Sequence, residues 1–269
     1  EKKTLILLSG ALILYNNLYY SDAFYRGALG EIEAFFFFPL LLMALDDLTK
    51  EADLKTYALL TLSFSGLLLS HNISFILACM VFALFLLVNI RKLDQKKWLG
   101  IALSTVIAIG LTAFFLFPMI EQMSLGIYRI NGYFTDEMQG ISVLDLLNLR
   151  MSDIITSITC GPFLLIGPIL YFFTKKKNAF ITSCLICGWV LLLMSTNIFP
   201  WKYISFLSFL QWPGRCMILT VPFLTVVTVY SLSEWDEKYI GILLCAVILF
   251  AGYMDFCVIR TGGSIVSLD

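Results

Sequence analysis

The chain has 269 residues, of which 59% are hydrophobic and 14% charged, with a formal net charge of −1 and a mean hydropathy of +0.89. A water-soluble domain of this length cannot hide so much apolar surface. The near balance of 18 basic and 19 acidic residues argues against nucleic acid as a partner. What remains is a protein of the lipid bilayer.

Long apolar stretches separated by polar breaks predict spans at 4–20, 31–46, 56–70, 73–90, 98–120, 160–174, 179–196, 216–233 and 239–257. Several are shorter than the roughly 20 residues a straight span needs, so their ends must reach into polar flanks or stop short of spanning. The expected fold is all-α: one polytopic transmembrane helix bundle over residues 1–269, with about nine spans. Residue 1 is Glu, the first apolar run lacks the form of a signal peptide, and the chain stops just after the ninth run. It therefore reads as a fragment of a larger protein.

Cytoplasmic loops are enriched in Lys and Arg. With the N-terminus inside, 12 of the 18 basic residues fall on inner segments and 6 on outer ones, the short turns 91–97 and 175–177 dominating the count. This predicts a multi-pass protein of a bacterial plasma membrane with a cytoplasmic N-terminus. Residues Arg26, Glu31, Glu33, His71, Lys202 and Arg215, all at ends of apolar runs, then share the extracytoplasmic face. The long connection 121–159 is an extracytoplasmic loop. Within it Val143, Leu146, Leu147, Met151 and Ile154 recur at helical spacing and predict an amphipathic surface helix.

Seven cysteines lie in or beside the runs without a paired framework in the loops. Cys184 and Cys187 form a C-x-x-C within a predicted helix, where they read as small apolar residues. No metal-ligand spacing is present, and no metal or cofactor is expected.

Three stretches carry chemistry. In the first, from Ser21 to Leu42, Arg26, Gly30 and Glu33 recur at i, i+4 and i+7 on a continuous helix, while Glu31 falls roughly 140° round from Arg26. A polar stripe of Arg26 and Glu33 is expected, with Glu31 apart. Charges at the mouth of an apolar span hint at function; interfacial snorkelling with a local Asp22–Arg26 pair is the alternative. In the second, 67–75, Ser70 or Asn72 can cap the following helix, and the lone histidine, His71, then stands at a positive helix end suited to an anionic group. In the third, 199–216, an aromatic belt is broken by Pro200 and Pro213, and Trp212-Pro213-Gly214-Arg215 forms a bend that delivers a guanidinium to the mouth of the eighth span. Arg suits phosphate through its paired N–H donors, although anchoring of the helix end is the simpler role.

Together, Tyr25-Arg26-Gly27-Ala28-Leu29-Gly30-Glu31 with Ala34 and Pro39, Ser70-His71-Asn72, and Gln211-Trp212-Pro213-Gly214-Arg215 resemble a bacterial family of large membrane proteins, the 6-pyruvoyl-tetrahydropterin-synthase-related membrane proteins. The family's last motif more often looks like Q-F-P-W-R, so Trp212 stands in place of Phe and Gly214 in place of Trp. That family in turn resembles the GT-C membrane glycosyltransferases, which use polyprenyl-phosphate-linked sugars on the extracytoplasmic face. The resemblance implies a GT-C-like fold, a polyprenyl-phosphate sugar donor and a cell-envelope glycan or lipid acceptor. It implies Arg26 and Arg215 as phosphate contacts, Lys202 and His71 as secondary contacts, Asn72 and Gln211 as further substrate-binding positions, and Glu31 as the catalytic carboxylate. GT-C proteins carry their best-known catalytic Asp in the first outer loop; here that loop offers Asp22, and the family's catalytic loop is expected upstream. Asp46 and Asp47 would be cytoplasmic, and Asp136 and Glu137 read as solvated loop surface. Two other functions use the same outer-face charges: a transporter or flippase of a lipid-linked or anionic substrate, and a glycan polymerase or ligase. A structural subunit is the remaining option.

Overall fold

The computed structural model describes residues 3–126, 140–147 and 159–262, and among these it is helical, with one isolated bridge between Ile141 and Thr196 and no strand. Helix α1 (Lys3–Leu14) is followed by a short α2 (Asn17–Tyr20) that runs into a π-helical turn (Ser21–Arg26). Next come α3 (Leu29–Leu48), α4 (Leu54–Ser70), α5 (Asn72–Val88) and α6 (Gln95–Leu125). After the long connection, α7 (Pro162–Ile166) continues as a 3-10 stretch (Gly167–Phe173) and leads to α8 (Ala179–Met194). Three 3-10 turns (Trp201–Tyr203, Ser205–Leu210, Pro213–Cys216) lead into α9 (Met217–Leu232), and α10 (Glu237–Gly262) closes the described chain.

Each predicted apolar run falls mostly on helical segments. Three segments are long and apolar enough to cross a membrane: Gln95–Leu125, Pro213–Leu232 and Glu237–Met254. The apolar helices Lys3–Leu14, Leu54–Ser70, Asn72–Val88, Pro162–Phe173 and Ala179–Met194 are shorter. The run predicted at 4–20 is not one rod. Helix α1 ends at Leu14, and the Asn16 side chain accepts from Tyr19 N, 3.0 Å away, to start α2, because a buried Asn finds its partners among free helix-end amides.

Helix α9 is the axis of the bundle. Its residues are buried on all sides, and it packs against α8, α1 and the 3-10 stretch Gly167–Phe173. A Cβ at Gly188 of α8 would lie 2.5 Å from Leu224, so the glycine lets the two helices approach. Asn89, at the end of α5, donates to Ser183 of α8 at 2.8 Å and adds a polar tie inside the bundle. By contrast α6 and α10 are peripheral and present apolar side chains outward, among them Leu103, Val106, Phe114 and Phe117 on α6 and Ile242 and Leu249 on α10. Hydrocarbon solvates such a surface and water does not.

The ends of the helices sort the charges. At one end Lys97 Nζ donates to the carbonyls of Leu48 (2.9 Å), Lys50 (2.8 Å) and Lys92 (3.1 Å), tying the α3–α4 and α5–α6 turns together and satisfying a helix C-terminus with a cation. At the other end meet the start of α3, the α4–α5 break and the start of α9.

Candidate functional site

Glu31, in the first turn of α3, is buried, with 3% of its side chain exposed. Its Oε2 accepts from Arg26 Nη1 at 3.1 Å and its Oε1 from Arg26 Nη2 at 3.3 Å, a bidentate fork. Oε1 also accepts from Arg215 Nε at 3.2 Å, and His71 Nε2 stands 3.9 Å from the same oxygen. One buried carboxylate thus gathers two guanidiniums and an imidazole from three separate stretches. Arg26, Arg215 and His71 keep 25%, 15% and 21% of their side chains exposed, so the cluster has a solvent-facing side made of two guanidiniums and an imidazole.

The expected stripe of Arg26 and Glu33 is corrected here. Glu31, and not Glu33, faces Arg26, and Glu33 is exposed. The reason is local: the helical wheel assumed a continuous helix, but the π-turn ends at Gly27, whose φ of +61° lies in the left-handed region, and α3 restarts at Leu29. The break resets the phase, and Arg26 folds back over the start of α3. The local Asp22–Arg26 pair is also present, at 2.5 Å.

Asp22 has no exposed side chain, and its Oδ2 has no hydrogen-bond partner among the described residues. Burial first, then the charge of Glu31, push its carboxyl up to about 7, against the opposing pull of Arg26. A retained proton also lets Asp22 donate to Glu31. With Asp22 protonated, two guanidiniums face a single carboxylate and the cluster carries net positive charge.

The α5 cap is neither Ser70 nor Asn72 but His71, whose Nδ1 accepts from Ser74 N at 3.3 Å and lies 2.8 Å from Ser74 Oγ. An accepting Nδ1 places the ring proton on Nε2, the atom turned toward Glu31. Burial, assisted by Arg215 and Arg26 and opposed by Glu31, lowers the His71 pKa below its ordinary value, so the ring stays neutral at pH 7. Gly30 makes this proximity possible: a Cβ there would lie 2.6 Å from the Ser70 carbonyl oxygen.

Arg215 is aimed by its own turn. Its Nη1 donates to the Leu210 carbonyl at 3.0 Å and to Gln211 Oε1, and Gln211 holds a φ of +62°, a conformation that costs energy for a residue other than glycine. The Arg26 guanidinium lies 5.8 Å from the centre of the Trp212 ring, a cation–π contact. A Cβ at Gly214 would come within 2.5 Å of that same indole. The ring of Trp212 thus occupies the space that a side chain at 214 would need.

Of the residues singled out in the sequence, Arg26, Glu31, His71, Gln211 and Arg215 are joined in one network. Asn72 turns away and donates to Met119 Sδ of α6 at 2.9 Å. Lys202 makes no ion pair with the cluster; it is exposed on a separate cleft. Trp212, as a partner of Arg26, was not legible beforehand, because it depends on where the π-turn ends. Half of the predicted surface helix, including Arg150, Met151 and Ile154, lies outside the described residues, as do Asp136 and Glu137; within 140–147, residues Asp145–Leu147 form a 3-10 turn. Cys184 and Cys187 are buried and free, in keeping with small apolar packing residues.

The profile of the 6-pyruvoyl-tetrahydropterin synthase related domain, described as a membrane protein, matches residues 2–259. An uncharacterized protein of Lactococcus lactis subsp. cremoris (strain MG1363) is 26% identical over 214 residues, which cover 73% of this chain and 34% of that protein. The chain thus spans about a third of the length of the relative it matches. No solved structure matches the chain significantly.

Proposed function

The chain belongs to the 6-pyruvoyl-tetrahydropterin synthase related family of membrane proteins, and from that premise we propose that it forms the phosphate-holding part of a membrane glycosyltransferase. In this reading the protein, in a bacterial plasma membrane, transfers a sugar from a polyprenyl-phosphate donor to a cell-envelope glycan or lipid on the extracytoplasmic face. The observation that carries the proposal is the convergence of Arg26 and Arg215 on Glu31, with both guanidiniums partly open to solvent.

An acceptor hydroxyl attacks the anomeric carbon and gives up its proton to a carboxylate base outside this cluster as the bond to the lipid phosphate breaks, and negative charge grows on the departing phosphate oxygen. Two guanidiniums held in advance stabilise that charge without reorganising at the moment of reaction. Both oxygens of Glu31 already accept from arginine, so Glu31 acts in this reading as the carboxylate that positions the cations. The neutral Nε2–H of His71 adds a donor on the same side.

The test is sugar transfer from a polyprenyl-phosphate donor, measured in membranes from cells producing the protein. Arg215→Ala and Arg26→Ala should each lower transfer by at least about 100-fold at unchanged protein level. Transfer at the wild-type rate in both variants would sink the proposal.

A further inference from the structure

A second polar site lies on the same connection as Arg215, between the end of α8 and the start of α9. It is a cleft of about 590 Å³ lined by Ser142, Asp145, Asn197, Phe199, Trp201 and Lys202, among others. That volume is within the range of small-molecule sites.

The cleft is built and not incidental. The segment 140–147 is pinned to the end of α8 by Ile141 N donating to the Ser195 carbonyl at 2.9 Å and Asn197 N to the Ile141 carbonyl at 3.0 Å. Gly140 permits this approach, since a Cβ there would lie 2.1 Å from the Thr196 backbone. On the other wall Phe199 and Trp201 pack with ring centres 4.8 Å apart. Trp201 is only 5% exposed, yet its indole Nε1–H is buried with no acceptor among the described residues. Buried donors ordinarily find partners, and the residue that carries this unpartnered one also lines the cleft.

The lining also selects the ligand. Asp145 accepts, Lys202 donates, and Asn197 and Ser142 do both, so neighbouring hydroxyls of either polarity can be matched. One cation beside one carboxylate gives no excess charge, unlike the arginine cluster, and does not favour phosphate. Aromatic edges beside planar polar groups suit a pyranose ring, with its apolar C–H face and its rim of hydroxyls. We propose that this cleft is a carbohydrate subsite that holds a neutral sugar unit of the acceptor glycan. The assignment of that sugar as acceptor rests on the glycosyltransferase reading; sugar binding itself does not.

Saturation-transfer NMR on the purified full-length protein in detergent, with a panel of neutral methyl hexosides and their disaccharides, tests it. Saturation of sugar ring protons is expected with at least one member of the panel. The apparent affinity should weaken about tenfold in Asn197→Ala, a substitution at an exposed side chain, and in Trp201→Phe, and inorganic phosphate should not compete. No saturation transfer to any member, or signals unchanged in both variants, would overturn the subsite. Sugar binding that depends on Asn197, in a protein that shows no transfer from polyprenyl-phosphate donors, would uphold the subsite and remove only the acceptor assignment. Transfer lost in Arg215→Ala together with sugar binding indifferent to Asn197 would remove the subsite alone.

Discussion

Glu31 and Arg215 are 184 positions apart, and Arg215 Nε donates to Glu31 Oε1 at 3.2 Å inside the same network that holds Arg26. Groups that share a buried network do not contribute independently. In a double-mutant cycle by thermal unfolding in detergent, Glu31→Gln and Arg215→Ala should show a coupling on the order of 1–3 kcal/mol. Additive effects would mean that the two side chains do not support one another in the folded protein.

Gly30 and Gly10 offer a matched pair. A Cβ at Gly30 meets a backbone oxygen at 2.6 Å, whereas one at Gly10 meets nothing within 4 Å. Gly30→Ala should cost about 1–3 kcal/mol by forcing the start of α3 away from the α4–α5 break. Gly10→Ala should be neutral or slightly stabilising, since alanine is the better helix former. Melting temperatures of the two variants check both outcomes.

His71 carries two roles that substitution separates. His71→Ala removes the α5 cap and should cost about 1 kcal/mol, while His71→Asn restores a capping oxygen and should recover most of that loss. Neither variant supplies an Nε2–H toward Glu31. If sugar transfer is the activity, it should be impaired in both variants although stability recovers in only one.

Asp22 predicts a pH dependence. Its carboxyl, raised from 3.8 to about 7, binds a proton more tightly folded than unfolded, facing Glu31 and Arg26. The resulting stabilisation is complete below about pH 4, fades as pH rises toward 7, and is gone above. Neutral His71, with its lowered pKa, gives the opposite slope below its ordinary 6.5. The informative quantity is therefore the difference between wild type and Asp22→Asn across pH 4–8. Parallel melting curves at every pH would show that Asp22 titrates normally.

Orientation has its own test. With native cysteines replaced, a single cysteine at Lys176 should be shielded from an impermeant thiol reagent in intact cells, and one at Asn197, on the turn after α8, should react. The reverse pattern would put the arginine cluster on the cytoplasmic side.

Much of the site could be read in advance because its residues are few and conspicuous. Arg26, Glu31, His71 and Arg215 stand out as charges or a lone imidazole beside runs of Leu, Phe and Ile, and membrane-spanning segments carry such groups at a cost. Their partners were less visible. The wheel joined Arg26 to Glu33 because periodicity assumes an unbroken helix, and nothing in Ser21–Arg26 marks the wider π-turn that shifts the phase. Asn72 and Lys202 looked equivalent to their neighbours, yet one faces α6 and the other a different cleft.

By itself the sequence determined the helical class, the positions of the apolar segments and the set of charged residues at their ends, since all of these follow from composition and local periodicity. The tertiary structure alone decided that one carboxylate holds two arginines, that Trp212 lies over Gly214, and that burial beside Glu31 raises the Asp22 carboxyl. Those outcomes depend on helix phase, close approach and burial, which residues far apart in the chain settle together.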